Sequence, residues 1–150
     1  MRSGITRDAQ SAAILLVDDN RDGVIARRSV LEELGYQVFS ANSGKDALNT
    51  IEQRSCDLII TDYKMSPMNG LELIAKLRER NFNNPIILLT GFAESLGLSP
   101  ENTGADLVLQ KSANEVASLV RHTKRLLSAP RKPPRSQGLG NTSRAASGKP

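Results

Sequence analysis

Five short runs of apolar residues, each about as long as a β-strand, recur along this chain of 150 residues. Most of them are continuously apolar and do not alternate with polar residues, which is typical of strands covered on both faces in a parallel sheet. The segments between the runs space their apolar residues as amphipathic helices do. The pattern therefore predicts an α/β fold, a doubly wound parallel sheet with helices on both faces. The predicted strands are Ala13 to Asp18, Tyr36 to Ala41, Asp57 to Asp62, Pro85 to Thr90 and Asp106 to Lys111.

The sequence also indicates where helices begin and where one is interrupted. The segments "NGLE", starting at Asn69, and "SANE", starting at Ser112, fit the capping box, in which side chains at both ends of the segment bond to otherwise unpaired amides. Further along, "GFAESLGLSPENTGAD" contains glycine and proline residues that disfavour a long helix. We expect about one and a half helical turns from Phe92, followed by irregular backbone.

The net positive charge of the chain, formally +4 at pH 7, is concentrated at its carboxyl end. Residues 129–150 contain five of the 20 basic residues and no acidic ones, which leaves 15 basic against 16 acidic residues, a formal charge of −1, for the remainder. This segment is rich in Pro, Gly, Ser and Arg, so it cannot bury enough apolar surface to become ordered. We therefore expect a flexible segment 1–12, a folded domain 13–128 and a disordered basic tail 129–150.

The single cysteine, Cys56, excludes an intramolecular disulfide and fits a reducing compartment. It precedes an apolar run, where we expect it to pack in the core. No stretch of the sequence approaches the ~20 apolar residues that span a bilayer. These features predict a cytoplasmic protein that does not act at a membrane.

Polar residues end four of the predicted strands. If the strands are parallel, these residues meet at one edge of the sheet, where α/β proteins bind their ligands. Crowded carboxylates resist ionisation unless a cation neutralises them, and a site that offers only oxygen ligands suits Mg²⁺. A lysine and a hydroxyl beside the metal would cradle a phosphoryl group. The residues are Asp18 with Asp19, Asp62, Thr90 and Lys111.

These residues make the chain resemble the receiver domain of bacterial two-component response regulators, of the CheY-like type, over about residues 13–127. The matching motifs are "VDDN", "DLIITDYKMSPMNG", "IILLTG" and the lysine after "TGADLVLQ". The resemblance implies a flavodoxin-like fold with strand order 2-1-3-4-5. It also implies that the protein takes a phosphoryl group from a sensor histidine kinase or a histidine phosphotransfer protein and passes a signal to a downstream protein.

The resemblance further implies a role for each residue of the site. Asp62 would be the nucleophile that accepts the phosphoryl group. Thr90 and Lys111 would contact the phosphoryl oxygens. Mg²⁺ would be bound by Asp62 and by three further groups, namely the carboxylates of Asp18 and Asp19 and the backbone carbonyl of Lys64.

Several positions depart from the family pattern. The aromatic switch residue of the last strand is Val108, which cannot move a ring between two positions, so we expect the response to centre on the loops after Asp62 and Thr90. The proline that usually follows the lysine is Ser112. Because a cis bond before a non-proline residue costs ~2.5 to 4 kcal/mol, we predict a trans Lys111–Ser112 bond, with Ser112 capping the last helix.

Flanking residues allow more than one interpretation. Phe92 and Lys64 occupy positions that tune phosphoryl lifetime in the family, although Phe92 could equally be an apolar residue at the start of a short helix. Arg27 and Arg28 on the first helix either form a solvated face, as charged helix residues usually do, or contact an acidic partner.

Three classes of function remain open from the sequence. The favoured one is a single-domain response regulator, which catalyses only its own phosphorylation and dephosphorylation. A second is an interaction module that keeps the fold without the phosphorylation switch. A third is a nucleic-acid-binding protein that uses the basic tail, although five charges without aromatic residues predict weak contact at most. A phosphate-ester hydrolase is disfavoured because the sequence offers no second acid/base carboxylate with suitable spacing.

Overall fold

A parallel sheet of five strands, ordered β2-β1-β3-β4-β5, forms the centre of the molecule. The computed structural model describes residues 12–91 and 96–128. The predicted strand number, direction and order are confirmed within these residues. The strands are β1 (Ala13–Val17), β2 (Gln37–Ala41), β3 (Leu58–Asp62), β4 (Ile86–Thr90) and β5 (Leu107–Gln110).

Helices connect the strands and cover both faces of the sheet. The helix expected from Phe92 begins within residues 92–95, which lie outside the described residues, as do the predicted flexible segment up to residue 11 and the predicted tail 129–150. Across the described ranges, no helix combines the length and apolar composition needed to cross a membrane. The helices are α1 (Arg21–Glu33), α2 (Gly44–Gln53), α3 (Gly70–Glu79), α4 (Pro100–Thr103) and α5 (Glu115–Ser128).

The continuously apolar strands are buried on both sides, as the sequence predicted. Every residue of β3 and β4 is buried. On one face, Leu15 and Ile59 belong to a cluster with Leu73 and other residues of α2 and α3. On the opposite face, Ile14 and its neighbours pack with Leu31 of α1 and with residues of α5. Successive strand residues thus serve different clusters, which is why the runs do not alternate with polar residues.

Two helix starts differ from the prediction, and one agrees with it. The Asn69 box is confirmed, with Glu72 N 2.9 Å from Asn69 Oδ1 and Asn69 N 2.9 Å from Glu72 Oε1. The stretch expected to be irregular forms the short helix α4, because Pro100 suits a first helical turn and Gly104 ends the helix at φ +83°.

The prediction that Ser112 caps the last helix is wrong. Helix α5 begins three residues later at Glu115, and the Ser112 hydroxyl accepts a hydrogen bond from Asn114 N at 3.3 Å instead. The Glu115 carboxylate binds the guanidinium of Arg27, a charged donor that makes a stronger bond than a backbone amide. The trans Lys111–Ser112 bond is confirmed, since Ser66–Pro67 is the cis bond found among the described residues.

An arginine of α3 fixes the edge at which the strands begin. Each of the five N–H groups of Arg78 donates a hydrogen bond. The acceptors are the carbonyls of Phe82, Asn84 and Gly104 and the carboxylate of Asp106, at 2.7 to 3.1 Å. Since these acceptors precede β4 and β5, Arg78 joins α3 to the loops that lead into both strands.

Candidate functional site

The ends of four strands bring the predicted site residues to one edge of the sheet. Asp18 directly follows β1, Asp62 ends β3, Thr90 ends β4 and Lys111 follows β5. Backbone hydrogen bonds continue the pairing at two of these positions, from Asp18 N to Ala41 O at 3.1 Å and from Lys111 N to Thr90 O at 2.8 Å. The site residues therefore stand on rigid backbone.

Three carboxylates form a cluster at this edge. Asp18, Asp19 and Asp62 each contribute one oxygen to a group whose members lie within 4.8 Å of one another. Asp18 and Asp62 are buried, while Asp19 is exposed, so the cluster has a protein side and a solvent side. Three carboxylates with access to water suit Mg²⁺, which takes oxygen ligands and keeps several of its own waters. The residues present thus fit the predicted metal.

Asp62 combines burial with an adjacent positive charge. Lys111 Nζ lies 2.5 Å from Asp62 Oδ1, and the Asp62 side chain is 7% exposed. Burial raises the pKa of Asp62, and the charge of Asp18 adds to this, whereas Lys111 and Arg27 oppose it. A cation bound by the cluster would favour the ionised carboxylate, which is the form that can act as a nucleophile.

Asp18 is bonded through both of its carboxylate oxygens. Oδ1 accepts a hydrogen bond from Asn20 N at 2.9 Å, and Oδ2 accepts one from Arg27 Nη1 at 2.9 Å. Arg27 Nε also donates to Glu115 Oε2 at 2.6 Å. Burial on its own would lower the pKa of Arg27, but the bonds and charges of Glu115 and Asp18 outweigh it and raise that pKa. Arg27 is therefore a charged bridge between α1, the acidic cluster and α5.

Both interpretations of Arg27 drawn from the sequence are wrong. Its side chain is buried inside the molecule, so it forms neither a solvated face nor a surface for a partner. The sequence did contain a signal, because Arg27 lies three residues after Val24 and four before Leu31, on the apolar face of α1. Arg28 is more exposed and donates to Val38 O at 2.9 Å.

The loop after Asp62 is held close to the sheet by a glycine. Gly70 N donates to Tyr63 O at 2.8 Å. A Cβ at Gly70 would lie 2.4 Å from Asp62 O, so no larger residue fits without moving the backbone. Lys64 lies in this loop, and its carbonyl as a metal ligand stays a prediction.

The remaining predicted residues divide into packing residues and one site residue. Thr90 is buried at the end of β4, beside Asp62 in the neighbouring strand. Val108 is half-buried and packs against the core, as expected for a residue with no switching ring. Cys56 is a buried core residue, which agrees with the packing role predicted for it, and Met65 is buried as well.

Comparison with known proteins points to one family. Residues 14–122 match the family model of the response regulator receiver domain. The transcriptional regulatory protein PhoP of Bacillus subtilis, which serves alkaline phosphatase synthesis, is 35% identical over 114 residues, covering 72% of this chain and 46% of PhoP. The chain spans 7% of another curated relative, the sensor protein EvgS of Escherichia coli. It thus covers less than half of the length of both.

Solved structures agree with this finding. The response regulator TrrA of Thermotoga maritima, in complex with Mg²⁺-BeF, has a TM-score of 0.64 and 32% identity, covering 75% of this chain and 98% of that one. The receiver domain of a sensor histidine kinase from Pseudomonas aeruginosa, with magnesium coordinated in its active-site cleft, has a TM-score of 0.71 and 27% identity. The match covers 79% of this chain and 99% of that one.

Proposed function

The chain belongs to the response regulator receiver domain family, and on this premise we propose that it accepts a phosphoryl group on Asp62 in a Mg²⁺-dependent reaction and signals by contact with other proteins. The observation that carries the proposal is the cluster itself. Three carboxylates from two strand ends share one site, and a lysine from a further strand end lies 2.5 Å from the proposed acceptor. The donor would be a phosphohistidine on a sensor kinase or phosphotransfer protein.

The proposed reaction gives Asp62 the role of nucleophile. A carboxylate oxygen of Asp62 attacks the phosphorus, the phosphorus–nitrogen bond to the donor histidine breaks, and the imidazole keeps the electron pair. Asp18, Asp19, Asp62 and the carbonyl of Lys64 would hold the metal. When bound, Mg²⁺ supplies positive charge for the phosphoryl oxygens as negative charge spreads over them.

Lys111 and Thr90 would act on the phosphoryl group after transfer. Lys111 pairs with the ionised Asp62, and that carboxylate loses its charge when it becomes an acyl phosphate. The ammonium then interacts more favourably with the charged phosphoryl oxygens than with the uncharged acyl oxygens, so it would pair with the phosphoryl group. The Thr90 hydroxyl, at the end of the adjacent strand, would donate to another phosphoryl oxygen.

Mass spectrometry after incubation with acetyl phosphate tests the proposal. The wild-type chain should gain one phosphoryl group with Mg²⁺ and none with EDTA, and Asp62→Asn should gain none. Asp18→Asn combined with Asp19→Asn should also abolish the reaction although Asp62 remains. Asp22→Asn, a charge change at an exposed position of α1, is the control and should react as the wild type does. Wild-type labelling of the double variant would contradict the metal role.

The other candidate functions are separated by simple measurements. If the protein is a module that works without phosphorylation, the Asp62→Asn variant should bind the partner protein as tightly as the wild type does. A nucleic-acid-binding protein would show salt-dependent binding that is lost on truncation after Ser128. The organisation as a single-domain regulator, the residue ranges given for the ends of the chain and the cytoplasmic location stay predictions.

The form of the response is also part of the proposal. Because Val108 lacks a ring, the change on binding of beryllofluoride should centre on the loops that follow Asp62 and Thr90. Chemical-shift mapping checks this expectation. Large shifts spread over residues 106–127 would contradict it.

A further inference from the structure

We propose that Arg27 is a positioning residue of the metal site, which holds Asp18 while Mg²⁺ is absent and competes with Mg²⁺ for it, to a degree set by Glu115 of α5. The inference rests on the proposed function, because it assumes that the acidic cluster binds Mg²⁺. It concerns the affinity of that site and assigns Arg27 no contact with the phosphoryl group.

The geometry places one guanidinium between two carboxylates. Arg27 Nη1 lies 2.9 Å from Asp18 Oδ2, and Arg27 Nε lies 2.6 Å from Glu115 Oε2. The three side chains are 9%, 5% and 12% exposed, in the order Arg27, Asp18, Glu115. Helix α1 and helix α5 are therefore joined at the metal site through a buried charge.

On the side that faces the apolar core, no water molecule can lie between this pair and its neighbours. Asp18 and Arg27 border a small void together with Val24, Ile60 and Leu89, and the void has no room for a water molecule. In such surroundings charges interact more strongly than at a solvated surface. A cation that takes an Asp18 oxygen must either displace the guanidinium or remain close to it. Both outcomes make binding of the cation less favourable.

Gly23 provides a second, independent indication that the Asp18–Arg27 pair is built into α1. A Cβ at this position would lie 3.0 Å from Arg27 Nη1 and 3.0 Å from Asp18 Oδ2. Glycine stabilises a helix less than alanine does. The first turn of α1 nevertheless contains this glycine. The guanidinium of Arg27 and the carboxylate of Asp18 meet close to the space that a Cβ would occupy.

Glu115 sets how firmly Arg27 holds Asp18. The two carboxylates share one positive charge, so each reduces the attraction that the other feels. Without Glu115, the guanidinium would belong to Asp18 alone, and Mg²⁺ would have to compete with a stronger internal partner. Without Arg27, Asp18 would be free for the metal. The two substitutions therefore have opposite expected effects on the dissociation constant of Mg²⁺.

Isothermal titration of the full chain with MgCl₂ tests the first effect. Arg27→Met should bind Mg²⁺ roughly tenfold more tightly than the wild type, the change expected on removing one nearby positive charge. Arg28→Met is the matched control, because it removes the same charge from the next residue of α1, whose partners are Glu32 and Val38 O. Its affinity should stay within about twofold of the wild type.

The direction of the change separates this role from a purely structural one. If Arg27 only supported the fold, its loss would disorder Asp18 and weaken Mg²⁺ binding. Equal affinities for Arg27→Met and Arg28→Met, or weaker binding by Arg27→Met, would overturn the inference. If circular dichroism shows that Arg27→Met does not fold, Arg27→Gln, which is neutral but still donates hydrogen bonds, takes its place with the same expectation.

A double-mutant cycle tests the second effect. Glu115→Gln should bind Mg²⁺ about threefold more weakly than the wild type, and Glu32→Gln is its control. In the Arg27→Met background, Glu115→Gln should have little effect, because its influence passes through Arg27. An undiminished effect there would overturn the role of Glu115. If the wild type bound no Mg²⁺, the proposed function would be overturned as well. If the wild type bound Mg²⁺ and the substitutions left its dissociation constant unchanged, only this inference would be overturned.

Discussion

Two arginine–aspartate pairs, one buried and one half-buried, lie at opposite ends of the sheet, and they differ in what else each arginine binds. Both the Arg27–Asp18 pair and the Arg78–Asp106 pair have a nitrogen–oxygen distance of 2.9 Å. Four of the five hydrogen bonds from Arg78 go to backbone carbonyls. Arg27, by contrast, donates to two carboxylates, those of Asp18 and Glu115.

This difference separates a structural pair from one that can take part in binding. If the Arg78 pair opened, several backbone carbonyls would lose their partners, and buried groups without partners are costly. On the inference proposed above, the Arg27 pair would open when Mg²⁺ binds, since its aspartate belongs to the acidic cluster. Two pairs with the same nitrogen–oxygen distance can therefore have different roles. The other partners of each charged group determine which role the pair has.

The largest expected effect on stability concerns the structural pair. Arg78→Met should lower the free energy of unfolding by about 3 to 5 kcal/mol, because it leaves Asp106 buried and removes the link between α3 and the loops before β4 and β5. Urea denaturation with and without MgCl₂ measures this, and the loss relative to the wild type should be the same in both conditions, because the metal site is intact. Arg80→Met, which breaks an exposed pair with Glu52, should cost no more than about 1 kcal/mol.

A smaller loss with a different response to metal is expected for Arg27→Met. Without Mg²⁺, the variant should lose on the order of 2 kcal/mol, since Asp18 and Glu115 lose a charged donor. At one Mg²⁺ concentration far above both dissociation constants, the tenfold tighter binding expected of Arg27→Met should stabilise this variant by about 1.4 kcal/mol more than Mg²⁺ stabilises the wild type. For each variant, the gain in the free energy of unfolding on addition of Mg²⁺ is measured. Equal gains for Arg78→Met and Arg27→Met would contradict the proposed contrast between the two pairs.

A methyl group added at Gly23 should have an effect of about 1 kcal/mol. In an uncrowded helix, alanine in place of glycine would stabilise by about 0.5 to 1 kcal/mol. Gly23→Ala should instead destabilise, because its Cβ would press on Arg27 and Asp18. Thermal unfolding compares it with Gly91→Ala, whose Cβ would meet nothing within 4 Å. If Gly23→Ala proved more stable than the wild type, the Arg27–Asp18 pair would accommodate the added methyl group without loss of stability.

The smallest expected effect comes from Cys56, which lies at the edge where the strands begin. There, Asn84 Nδ2 donates to Cys56 O at 2.8 Å. Burial raises the pKa of the Cys56 thiol from 9.0 to about 11. The folded state therefore disfavours the thiolate, so the thiol stabilises the fold fully below pH 9 and loses this contribution as the pH rises towards 11. The loss relative to Cys56→Ala should be about 0.4 kcal/mol at pH 9. Urea unfolding of both proteins at pH 7 and pH 9 measures it.

Thiol chemistry checks the same pKa by another route. Iodoacetamide should leave Cys56 unmodified in the folded protein at pH 8 and modify it in urea. Rapid modification of the folded chain would mean that the core around Cys56 opens readily to the reagent.

The sequence by itself determined the sheet and the membership of the acidic cluster. The continuous apolar runs required strands buried on both faces, and five such runs separated by helical segments left a parallel α/β sheet as the consistent solution. Once the strands are parallel, Asp18, Asp62 and Lys111 must lie at the same edge, since each follows or ends a strand. These features depend on local composition and strand direction, which can be read along the chain.

Only the tertiary structure decided which charges pair. Arg27 and Glu115 are 88 positions apart, and their contact depends on how α1 and α5 pack on the same face of the sheet. Ser112 had the right local sequence for a cap, but a stronger partner for Glu115 came from another helix. Short-range patterns describe what a residue can do. Its actual partner depends on the relative free energies of interactions that the fold brings together from distant parts of the chain.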